Sequence, residues 1–236
     1  YSIINDRNAQ NVKNTMIDTL LSTIAPHLCC GCGKIGSVLC QYCKYNIIAE
    51  GFDECLLCSN KNNTRQLCIN CNNIAQRGWC VGDRTDILRK LIDDYKFENM
   101  RAAHKVLGEL LDERIEILPS TTVVVSVPTI AGHIRQRGYD HAALLAKTFA
   151  KYRQLTYRPL IRRVTTTSQR NATKTQRFQQ ANVAFKVTKS LNPHTPYLLV
   201  DDIVTTGATL TAAVHALRTA GAQEVWVTAV ARQPLD

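Results

Sequence analysis

The period of the hydrophobic positions changes along the chain, and each change marks an element. Residues 1–15 are polar and rich in Asn, and read as an extension with little structure, Met16 being the expected native start. From 16 to 24 apolar residues recur at helical spacing. Helical spacing returns over 79–118: Ile87, Leu88, Leu91, Ile92 and Tyr95 form one stripe, Val106, Leu107, Leu110 and Leu111 a second, and residues 97–100 the break between two helices. Residues 121–128 are a β-branched run without polar alternation, which predicts a strand buried on both faces. A loop over 129–140 follows, then a helix over 142–152 with Leu144, Leu145, Thr148 and Phe149 facing in. A second apolar run starts at Tyr197 and stops at two adjacent acids, Asp201 and Asp202. A helix over 209–220 ending at Gly221 and a last strand over 224–231 complete the pattern. Buried strands alternating with helices predict an α/β fold with a mostly parallel sheet and helices on both faces.

The interval 25–80 has no such period and holds all ten Cys. Eight form four Cys-x-x-Cys pairs: Cys29/Cys32, Cys40/Cys43, Cys55/Cys58 and Cys68/Cys71. Each pair puts two thiols on one tight turn, and two such turns complete a tetrahedral four-sulfur site that suits zinc. A disulfide framework would need an oxidising compartment, and the chain shows no export signal. About two structural zinc ions per chain are expected, since four Cys ligands leave no open position for water. The pairs combine either sequentially, 29/32/40/43 and 55/58/68/71, or interleaved; spacing leaves both open. Cys30 and Cys80 are left over, Cys80 as a buried thiol. The expected organisation is an N-terminal extension and short helix over 1–24, a double zinc ribbon over 25–80, and the α/β domain over 81–236.

The chemistry gathers after the second buried strand. Asp201 and Asp202 sit where open α/β sheets bind ligands, beyond the carboxyl ends of the strands. The turn behind them, Val204, Thr205, Thr206, Gly207, Ala208 and Thr209, offers hydroxyls and the N–H groups of a helix N-terminus, an anion site. The formal charge of +10 falls to about +6 once two zinc-bound tetrathiolates are counted. Between Asp140 and Asp201 there are eleven Lys and Arg and no acid, which favours an anionic partner, phosphate or nucleic acid. No apolar run approaches the roughly 20 residues that span a bilayer, and a cytoplasmic location is expected.

Residues 198–210 resemble the phosphoribosyl-diphosphate (PRPP) motif of type I phosphoribosyltransferases, and the wider pattern resembles the ComF branch, associated with natural competence and DNA uptake. Supporting matches are Pro26 before the first Cys pair, the Lys96-Phe97 pair, the run 137–141 against an Arg-Gly-aromatic-Asn-Gln pattern, and Arg163, Gln169, Arg177, Asn182 and Phe185 in the basic window. Asp140 and His141 depart from that pattern, Asp140 being a helix-cap candidate and His133 and His141 ordinary polar positions. The resemblance implies that Asp201 and Asp202 hold the ribose hydroxyls directly or through Mg²⁺. It implies that 204–209 cradle the 5′-phosphate, and that Lys96, Arg135, Arg137, Arg163 and Arg177 meet the diphosphate from its loop and a mobile flap. Two functions of different class follow. One is PRPP/Mg²⁺ binding in a protein that handles single-stranded DNA during uptake, with other DNA-uptake proteins as partners. The other is transfer of phosphoribose to an unknown base in nucleotide salvage. No residue stands out as a general base.

Overall fold

The computed structural model describes residues 27–62, 66–98, 100–164 and 185–234. The helix expected over 16–24, Arg177 and the flap expected over the basic window lie outside them. Two compact units form, Tyr1–Tyr45 and Asn46–Asp236.

In the first unit, Leu28 and Ile35 pair across a turn that carries Cys29 and Cys32, and Cys43 lies in helix α1 (Gln41–Glu50). In the second, Glu54 and Lys61 pair in the same way around Cys55 and Cys58.

The second unit is built on a five-stranded sheet in the order β1-β7-β6-β2-β3, every neighbour parallel. Its strands are β1 (Arg77–Asp83), β2 (Val123–Ser126), β3 (Thr156–Tyr157), β6 (Tyr197–Val204) and β7 (Val225–Arg232). The short pair β4 (Ile161–Arg163) and β5 (Phe185–Val187) is antiparallel and flanks residues 165–184. The helices are α2 (Asp86–Phe97), α3 (Ala103–Arg114), α4 (Ala131–Arg137), α5 (His141–Tyr152) and α6 (Ala208–Thr219). α3 and α5 pack on one another and on β1, β2, β6 and β7. α6, the β4–β5 hairpin and the second Cys group share a separate hydrophobic cluster with β6 and β7. The sheet is thus covered by helices on both faces, as its uniformly apolar strands require.

Three local expectations change. Trp79, placed at the start of a helical stretch, belongs to β1, where it meets Trp226 of β7 edge-on with ring centroids 6.1 Å apart. A strand of seven residues with Gly at two of them gives a weak strand signal; pairing along β7 decides it. The loop expected over 129–140 contains α4, which ends at Gly138 with φ +79°. β6 does not stop at the acids: it runs through Asp201 and Asp202 to Val204, because β7 continues to pair with it as far as Arg232. The helices predicted within the described residues form, and Gly221, at φ +107°, closes α6 by donating to the Arg218 carbonyl.

Candidate ribose-phosphate site and tetrathiol groups

Successive side chains on a strand point to opposite faces, so the two acids near the end of β6 diverge. Asp202 is buried, and Lys96 Nζ from the end of α2 lies 2.8 Å from its carboxylate. Asp201 remains partly exposed and accepts the Asp202 N–H at 2.8 Å. Burial and the neighbouring Asp202 push the Asp201 carboxyl up to about 8, against the pull of Lys96 and Arg163. Ionising both acids would set like charges side by side, a cost that a cation or hydroxyl ligand would relieve.

Both acids line a cavity of about 280 Å³ with Lys96, Val127, Pro128, Thr129, Ile130, His133, Arg137, Arg163, Ile203 and Thr209. Its two Arg are held against aromatic rings: Arg137 lies 4.9 Å over Phe97, Arg163 the same distance over Phe185. Such stacking orients a guanidinium and leaves its N–H edges for an anion. A smaller cleft adjoins, lined by Asp201, Ile203, Val204, Thr205, Gly207, Thr209 and Leu210. Here α6 begins. Gly207 caps it in the left-handed region at φ +76°, and Thr205, Thr206, Ala208 and Thr209 are exposed around its N-terminus. First-turn N–H groups have no partner within a helix and favour anions.

The structure therefore brings Asp201, Asp202, Lys96, Arg137, Arg163 and Thr209 to one cavity and the 204–209 turn to its edge. Arg135 is exposed and does not line the cavity. Asp140 caps α5 as expected, accepting the Ala143 N–H at 3.1 Å and the Thr129 hydroxyl at 2.8 Å.

Sequence reasoning missed the support beneath Asp202. His141, read as an ordinary polar position, is buried and packed against Tyr95 and Tyr139, with centroids 5.2 and 4.5 Å away. Burial pulls its pKa down, against the nearby Asp202. The Tyr139 hydroxyl donates to the Tyr95 carbonyl, and the Tyr95 hydroxyl to the His141 carbonyl at 2.9 Å. These bonds fix the end of α2, and so Lys96, against the start of α5. His133 also lines the cavity. The aromatic position 139 next to Gly138 was a signal of sorts; the partner Tyr95 was hidden in an ordinary helical stripe.

The Cys residues resolve into the sequential pairing. The sulfurs of Cys29, Cys32, Cys40 and Cys43 lie within 4.8 Å of one another, as do those of Cys55, Cys58, Cys68 and Cys71. Cys32 and Cys40 sulfurs are 3.7 Å apart, Cys58 and Cys68 sulfurs 3.5 Å. A tetrahedral ion with Zn–S bonds of about 2.3 Å needs an S···S spacing of about 3.8 Å. Both groups can therefore hold zinc. Cys29 is buried, but backbone N–H groups of Cys32, Cys40 and Gly31 outweigh that and draw its thiol down to about 6, while burial and neighbouring thiols push Cys43 up to about 12. Cys80 is a buried thiol in β1, pushed up to about 12 by burial. Among the described residues no helix is long and apolar enough to cross a membrane.

Residues 136–235 match the phosphoribosyl transferase domain. The chain is 30% identical over 211 residues to competence protein F of Haemophilus influenzae, a match covering 82% of this chain and 90% of that protein. Among solved structures it is similar to the allosteric regulatory enzyme of purine biosynthesis (22% identity, TM-score 0.40, 53% of this chain and 25% of that one). It is also similar to the glutamine PRPP amidotransferase of B. subtilis complexed with ADP and GMP (19% identity, TM-score 0.40, 72% of this chain and 32% of that one). The chain thus spans a third or less of those two proteins.

Proposed function

The chain belongs to the ComF family, and on that premise we propose that it binds PRPP with Mg²⁺ at Asp201, Asp202 and the 204–209 turn, and handles single-stranded DNA during DNA uptake in the cytoplasm. The observation that carries this is the pairing of two carboxylates on β6 with the open N-terminus of α6 around one cavity. Carboxylates suit ribose hydroxyls and hard cations, and a helix N-terminus suits a phosphate. Mg²⁺, held by Asp201 and Asp202 with the ligand's own oxygens, would supply neutralising charge. Lys96 and Arg163 line the same cavity as the acids, and Lys96 can turn from Asp202 to a diphosphate once a cation takes its place. Arg137 faces the same cavity. The acid-free stretch between Asp140 and Asp201 supports the nucleic-acid role through sequence-independent, salt-sensitive attraction.

Titration calorimetry with PRPP and Mg²⁺ tests the ligand: the Asp201→Asn, Asp202→Asn double variant should lose binding while keeping its fold, and unchanged affinity refutes the site. Single-strand affinity over a salt series tests the DNA role; salt-independent or absent binding refutes it.

A second reading, transfer of phosphoribose to a base, draws on the match to the phosphoribosyl transferase domain. A base nitrogen would form its bond to C1 as the C1–O bond to diphosphate breaks, through an oxocarbenium-like state, with the same cations stabilising the charge on the departing diphosphate. Release of diphosphate from PRPP on adding a nucleobase would favour it over binding alone.

A further inference from the structure

The second Cys group is not an appendage. Leu56 and Leu57, the residues between Cys55 and Cys58, are buried in the same cluster as Val204 and Leu210, which flank the phosphate turn. Gly207 is pressed against this knuckle: a Cβ there would lie 3.0 Å from the Leu57 carbonyl carbon and 3.1 Å from its Cα, with the carbonyl oxygen nearer still. A backbone wall cannot swing aside as a side chain would.

A second tie comes from Arg232. It is fully buried at the end of β7 and has no carboxylate within ion-pair distance among the described residues. Its guanidinium donates instead to the Leu56 carbonyl and the Ser59 hydroxyl, both on the Cys55–Ser59 turn. Its backbone pairs with Val204, the last residue of β6, and the next residue, Gln233, donates to the Val204 carbonyl at 2.7 Å. One buried cation thus connects the knuckle to the residue from which the phosphate turn departs. Negative charge faces Arg232 from two sides, Asp83, its register partner on β1, and the tetrathiolate that a divalent ion would complete.

We infer that the Cys55–Ser59 turn is the wall behind the 204–209 turn and that Arg232 is a positioning residue for it, so that metal at Cys55, Cys58, Cys68 and Cys71 sets the conformation of residues 204–209. The consequence for ligand affinity rests on the PRPP reading above; the effect on the turn does not. A knuckle folded by metal holds Gly207 in its left-handed conformation and presents the α6 N-terminus ready-made. A knuckle without metal loses the wall and the acceptors that fix Arg232, and the ligand must then order the turn itself.

The test uses the full chain, zinc-loaded. Hydrogen exchange at 204–209, read against β2 as internal reference, and PRPP/Mg²⁺ affinity are measured for wild type, Arg232→Lys, Cys68→Ser and Cys68→His. Arg232→Lys keeps the charge and all eight ligands but loses the two-point grip; it should retain zinc, speed exchange at 204–209 and weaken affinity about tenfold, an ordinary coupling magnitude. Cys68→Ser should do the same with loss of one zinc, and Cys68→His, which restores a competent ligand set, should reverse both effects. Should Cys68→Ser unfold, Arg232→Lys decides alone. Unchanged exchange at 204–209 in Arg232→Lys overturns the inference. If wild type does not bind PRPP but exchange responds as stated, the coupling stands and the ligand assignment falls.

Discussion

Replacing Gly207 by Ala separates two costs that the structure superimposes. The first is conformational: at φ +76° an L-residue loses about 1–2 kcal/mol relative to glycine. The second is steric: the new methyl enters the Leu57 backbone, and overpacking of this kind costs about 1–3 kcal/mol. The sum is roughly 2–5 kcal/mol of lost stability. Gly138 provides the control. It ends α4 at φ +79°, nearly the same angle, yet a Cβ there meets nothing within 4 Å. Gly138→Ala should therefore show the conformational cost alone, about 1–2 kcal/mol. Urea unfolding of the zinc-loaded protein, followed by circular dichroism with both variants beside wild type, gives the difference directly. An excess of about 1–3 kcal/mol for Gly207→Ala confirms the backbone contact. Equal destabilisation by the two variants would show that the turn is not pressed on the Cys55–Cys58 knuckle, and the wall argument would fail with it.

Asp201, raised to about 8, should still hold its proton at neutral pH in the free protein. Because its folded pKa lies above the unfolded one, the group costs nothing in acid and increasingly lowers stability as pH rises from about 4 to 8. PRPP/Mg²⁺ binding near pH 7.5 should then release a proton, seen as calorimetric enthalpies that vary with the ionisation enthalpy of the buffer; Asp201→Asn should remove that dependence, and a buffer-independent wild type would refute it. Lys96→Met leaves Asp202 buried without its cation and should lower stability by about 3 kcal/mol in a chemical denaturation series, with PRPP affinity falling as well; a variant as stable as wild type would show that the ion pair does not matter. Purified protein should carry about two zinc ions per chain by the four-thiolate rule, counted by emission spectrometry, and four thiols titrating freely beside one ion would refute the double site.

What the sequence disclosed follows from how local each feature is. The β2 and β7 strands, the α2 and α5 stripes and the Cys-x-x-Cys knuckles are written in consecutive residues, and they form where expected. Asp201, Asp202 and the 204–209 turn were visible for the same reason. Features set by distant partners were not. Trp79 is a strand residue because β7 offers it a parallel edge. His141 is buried because Tyr95, 46 positions away, closes over it. The choice between sequential and interleaved Cys pairing depends on which turns fold back on each other, and spacing is silent on that. Gly207 shows the difference within a single residue: its place in a Thr/Gly turn was legible, whereas its contact with Leu57 spans 150 positions and leaves no local mark.

That contact changes what the acids and the turn can be said to do together. Ionised together, Asp201 and Asp202 would repel one another, a cost lessened by the raised pKa of Asp201 and by Lys96 set against Asp202. Such a site gains most from a ligand that brings cation and hydroxyl groups at once, since both relieve the same strain. The phosphate end works in the opposite way. It stores no strain to release: its glycine and helix N-terminus are held in one conformation by the knuckle and by Arg232. A ribose phosphate would therefore be drawn at one end by relief of charge repulsion and received at the other by a preformed cradle. The first contribution should vary with pH and Mg²⁺. The second should vary with zinc, and a double-mutant cycle between Asp201→Asn and Arg232→Lys should find the two nearly additive, because neither residue touches the other's partners.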